Sequence, residues 1–142
     1  MYGQDRARLR EVFFQAWARH RQGQALEGAE RLIVAVASRH PEYRAILEQP
    51  ARYRDSDYQP GEQENPFLHM AMHIALEEQL GLDRPAGLRD SYRRLLIRAG
   101  DEHRAQHLAI DCLREVLWQA QQTQSAPDEQ ALLACLQRMG EA

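Results

Sequence analysis

Apolar residues in this chain recur at three- and four-residue steps almost from end to end, and runs that alternate between polar and apolar residues are missing. That period belongs to helices packed by one face. Leu9, Val12, Phe13, Ala16, Trp17 and His20 form the first stripe, which ends near Gly23. A second helix is expected from about Leu26 to Ser38, carrying Leu32, Ile33, Val34 and Val36. It must stop near His40, because the residue before Pro41 is pushed away from helical angles. PEYRAILEQ offers further turns before Pro50. The stretch PARYRDSDYQPGEQE (50–64) is polar and aperiodic and reads as the main internal loop, with Tyr53 and Tyr58 packed locally or lying over a pocket mouth.

Asn65-Pro66 opens the next helix, asparagine as N-cap and proline at the first helical position, and Gly81 is its natural stop. A helix from about Pro85 to Ala99 ends at Gly100. Asp101 caps a long helix reaching roughly Gln122, and Ser125-Ala-Pro-Asp starts a last one containing Leu132, Leu133, Cys135 and Leu136. The expectation is a single all-α domain over residues 1–142, a bundle of about six helices.

The formal net charge of −3 and ordinary hydrophobic content supply no electrostatic reason for binding nucleic acid or an anionic membrane. The chain contains no lysine, which excludes Schiff-base chemistry and a phosphate-loop lysine. Cys112 and Cys135 lie far apart among apolar helical neighbours and read as small buried thiols in a reducing compartment. No apolar run approaches a membrane span and no signal core opens the chain, so a soluble cytoplasmic protein is expected.

Residues 69–77 read HMAMHIALE, and residues 103–111 read HRAQHLAID. Both fit the frame H-x-A-x-H-[Ile/Leu]-A-[Leu/Ile]-[Glu/Asp], and together they hold four of the six histidines. At about 100° per residue, His69 and His73 lie about 40° apart, within an apolar stripe shared with Met72, Leu76 and Leu80. His103 and His107 are related in the same way, beside Gln106, Ile110 and Leu117. All four are therefore expected to face inward, and imidazoles buried without partners cost about 1–3 kcal/mol each. Two devices repay that cost. One is a metal ion held by His69, His73, His103 and His107, with nitrogen ligation favouring zinc, nickel, copper or iron. The other is a structural hydrogen-bond network through Gln106, Gln121, Asp111 and backbone carbonyls. His20 reads as a helix C-terminal histidine favoured by the dipole, and His40 as a surface or capping residue.

NPFLHMAMHIALEEQLGLDRPAGLR (65–89) and DEHRAQHLAIDCLREVLWQAQQTQSAPDE (101–129), with FFQAWARHRQGQALEGAE and HPEYRAIL before them, resemble the bacterial family DUF1841, a domain of unknown function. The resemblance covers nearly the whole chain. It implies a small proteobacterial protein of about this length and brings no activity, cofactor or substrate.

Two functions follow. In the first, the protein binds a transition metal and is a candidate enzyme, an open coordination position holding water and Glu77, Glu78 or Asp111 serving as general base. In the second, it is a non-enzymatic module that binds a protein partner or itself. Trp17, Trp118, Tyr53 and Tyr58 are then candidate contacts if exposed, although core packing is the expected place of both tryptophans. Cys112 lies about 180° around its helix from His103, so these two cannot act as nucleophile and base.

Overall fold

The computed structural model describes residues 2–56 and 65–141, with side chains from Arg8 onward. Eight helices occur among the described residues, and no strand: α1 (Tyr2–Arg21), α2 (Ala29–Ser38), α3 (Pro41–Leu47), α4 (Pro50–Tyr53), α5 (Pro66–Leu82), α6 (Leu88–Ala99), α7 (Glu102–Thr123) and α8 (Glu129–Glu141). Six are long. The two extra ones, α3 and α4, are short and each begins on a proline, whose fixed φ suits a first helical turn. α4 occupies the start of the expected loop. Tyr58 and the rest of 57–64 lie outside the described residues.

The chain divides into two compact units, residues Met1–Ile74 and Ala75–Ala142, with the division inside α5. In the first unit Phe13, Phe14 and Trp17 of α1 pack with Ile33, Val34 and Val36 of α2, Tyr43 and Leu47 of α3, and Phe67 and Met70 of α5. Arg10 is buried at 2% exposure in this apolar setting. Its Nη1 donates to the carbonyls of Tyr53, Arg54 and Ser56 at 3.3, 2.9 and 2.7 Å, and its guanidinium lies 4.6 Å from the Phe67 ring centroid. The carbonyls left over at the end of a helix need donors, and this arginine of α1 satisfies those at the end of α4.

In the second unit α6, α7 and α8 pack on one another. The cysteines are not thiols, as the sequence suggested: Cys112 of α7 and Cys135 of α8 form a disulfide, their Cα atoms 5.8 Å apart. Each belongs to the buried side of its own helix, and antiparallel packing of neighbours joined by a short loop brings those sides together. Trp118 also departs from expectation. It is 53% exposed, because α7 buries Ala105, Ala109, Cys112, Val116 and Ala120 and Trp118 stands about 200° around the helix from Val116.

α5 runs one residue past the expected stop at Gly81. Asp83 rather than the glycine takes the left-handed backbone, at φ 51°. The reason lies in its carboxylate, which accepts the N–H groups of Arg89 (2.9 Å) and Gly87 (3.3 Å). Short polar side chains that bond locally are the ones that tolerate this conformation. The Arg89 side chain in turn donates to the last-turn carbonyls of Leu80 and Gly81. No helix among the described residues is long and apolar enough to cross a membrane.

Candidate metal centre

The α5 pair faces inward as its spacing predicts: His69 is 7% and His73 2% exposed. Their Nε2 atoms stand 3.1 Å apart. Two imidazole nitrogens bound to one ion at about 2.0–2.1 Å, at angles of about 90–110°, sit about 2.8–3.4 Å from each other. The observed separation falls inside that window. It also suits a single N–H···N hydrogen bond, so the distance alone admits both devices that the sequence raised.

His40 decides more. Read as a surface or capping residue, it is instead 6% exposed, its ring stacked 4.9 Å from Tyr43 and tilted 4.5 Å from His73. Pro41 forces the extended backbone that turns the chain between α2 and α3 (φ −129°, ψ 90° at His40). That corner directs the ring inward. Its Nδ1 donates to the Val36 carbonyl at 2.8 Å. A carbonyl can only accept, so Nδ1 carries the proton and, in the neutral ring, Nε2 carries the lone pair. This is how metal-binding histidines are held: one nitrogen tied to a backbone acceptor, the other presented to the ion. His40, His69 and His73 each offer a ring nitrogen, and these atoms lie within 4.8 Å of one another.

The α7 pair is less uniform. His107 is half-buried and His103 is exposed, so the expectation that all four face inward fails at His103, in the first turn of α7. Their rings lie 4.3 Å apart, and His107 Nδ1 donates to the His103 carbonyl at 2.8 Å, leaving Nε2 as its lone-pair nitrogen in the neutral form. His20 is exposed at the end of α1, its ring 5.1 Å from Trp17.

Gln106, expected to serve the histidines, donates through Nε2 to Glu77 Oε1 and to the Tyr92 hydroxyl, both at 3.0 Å. Of the three candidate bases, Glu77 is half-buried, while Glu78 and Asp111 are exposed. Glu77 stands one turn beyond His73 on α5, with its carboxylate held by a buried amide.

An all-helical chain with three histidines clustered inside one of its units is the class that fold and site define. The chain belongs to the family described as a domain of unknown function, DUF1841, which it matches over residues 5–138. No curated protein and no solved structure matches it.

Proposed function

We propose that this protein binds a transition metal ion through His40, His69 and His73. The observation that carries the reading is the convergence of three buried ring nitrogens within 4.8 Å, one of them with its tautomer set by a backbone carbonyl. Nitrogen ligands favour zinc, nickel, copper or iron over calcium or magnesium. The H-x-x-x-H pattern of α7 adds His103 and His107 as candidates for the remaining positions. An ion with incomplete protein ligation keeps a place for water. Of the three acidic candidates for general base, Glu77 is the half-buried one, and Gln106 fixes its carboxylate.

The competing reading is a structural network, favoured by the hydrogen-bonding distance between His69 and His73. Calorimetric titration of untagged, metal-stripped protein with zinc and nickel, disulfide intact, separates the two. His40→Ala, His69→Ala and His73→Leu are each expected to weaken binding at least tenfold, with His20→Ala unchanged and His103→Ala and His107→Ala scoring the α7 pair. His73→Leu keeps similar bulk without the polar atoms, a change that costs under about 1.5 kcal/mol where shape alone matters. If wild-type protein takes up no metal, and His73→Leu costs several kcal/mol, the cluster is a network.

A further inference from the structure

A groove of about 370 Å³ runs between α7 and α8, and both cysteines line it together with Glu115, Thr123, Asp128 and Arg138. The two half-cystines differ in exposure as residues. Cys112 is 1% exposed, whereas Cys135 is half-buried. Thiol–disulfide exchange requires an attacking thiolate to reach one sulfur, so access selects which sulfur is attacked. We propose that Cys135 is a thiol-exchange site, its groove admitting a small-molecule thiol.

The exchange balances without any other reactant. The thiolate attacks Cys135 Sγ and a new S–S bond forms between them. The Cys112–Cys135 bond breaks, and its electron pair leaves on Cys112 Sγ, which takes a proton from water. A second thiolate attacks the incoming sulfur, releases the small-molecule disulfide and leaves Cys135 reduced. Two thiols are oxidised and one disulfide is reduced. Arg138 lies three residues beyond Cys135, on the same side of α8, and places a cation in a groove that Glu115 and Asp128 also line.

The fold is built to survive the cleavage. Leu132 and Leu136, 1% and 0% exposed, anchor α8 three residues before and one residue after the half-cystine, and α8 packs on α6 as well as α7. Breaking the bond is therefore a local event.

The test begins with wild-type protein held in millimolar reduced glutathione without denaturant, quenched in acid and mapped by mass spectrometry. The glutathione adduct is expected on Cys135, with Cys112 as its free thiol. Adduct on Cys112, in equal or greater amount, or a disulfide that resists reduction until the protein is unfolded, overturns the proposal. Single variants supply an independent reading with oxidised glutathione, their helicity checked by circular dichroism. Cys112→Ser, which leaves Cys135 as a thiol, should form the mixed disulfide at least tenfold faster than Cys135→Ser, and a smaller ratio counts against the assignment.

Discussion

At the scale of single residues, the chemistry of this protein depends on side chains that settle the backbone around them. Asp83 is the clearest case. Its carboxylate accepts the Arg89 and then the Gly87 backbone N–H, and these bonds hold its pKa below the ordinary aspartate value of 3.8. A group depressed in the folded state contributes stability above its unfolded pKa and loses it as pH falls through the folded value. The contribution of Asp83 is thus present above about pH 3.8 and fades below it. Asp83→Asn keeps a residue that accepts left-handed backbone but has no charge to lose. Thermal unfolding followed across acid pH should show wild type and variant converging below that point, and a gap that stays constant or widens there would refute the assignment. The histidines show how much of the site such residue-level reading reaches. His69 and His73 were legible because an i, i+4 pair inside an apolar stripe has only one place to point. His40 was not, because it sits at a break between helices, where no period assigns a face, and proline beside it signals only that the helix stops. His103 was misread for the opposite reason: a periodic face continues on paper into the first turn, while burial does not.

At the scale of elements, the arginine of α1 explains why a one-turn helix exists at all. Four residues from Pro50 to Tyr53 are too few to hold a helix by their own hydrogen bonds. Arg10 supplies what is missing by donating to the carbonyls of Tyr53, Arg54 and Ser56, at 2.7 to 3.3 Å. Hydrogen bonds from a charged donor are worth about 1.5–3 kcal/mol, and buried carbonyls left without one add their own penalty. Arg10→Met should therefore cost about 2–3 kcal/mol in urea unfolding, with Arg10→Lys recovering part of it, since an ammonium keeps the charge without the planar fork. A loss below about 0.5 kcal/mol would show that the carbonyls find other donors. Nothing in the sequence singled out this arginine, one of many in a lysine-free chain. Its role comes from a contact across more than forty positions, and periodicity carries no information about such pairs. Helix positions and most stops were legible by contrast, because caps and prolines act locally: Asp101 accepts the Arg104 N–H at 2.7 Å, as its place before α7 predicts.

At the scale of the whole molecule, metal binding and cooperativity become one measurement. The three unit-one histidines stand at the α2–α3 corner and in the first half of α5, and α5 continues as one helix past the division of the chain. Melting either half of that helix removes turns from the other. We therefore expect residues 1–142 to unfold as one cooperative domain, and zinc to stabilise all of it. A ligand at 100 times its Kd adds about 2.7 kcal/mol to the folded state, which slows exchange through global unfolding about 100-fold. Hydrogen exchange with and without zinc distinguishes the cases. The slowest amides of α6 and α8, distant in sequence from any of the three histidines, should slow by the same factor as those of α2 and α5, because only global opening exposes them. Faster amides, which open locally, should slow in α2, α3 and α5, and in α7 as well if His103 or His107 binds the ion. Protection gained in α2 and α5 while the slowest amides of α6 and α8 stay unchanged would mean that the two units unfold separately, and the metal would then hold together only the half that carries its ligands.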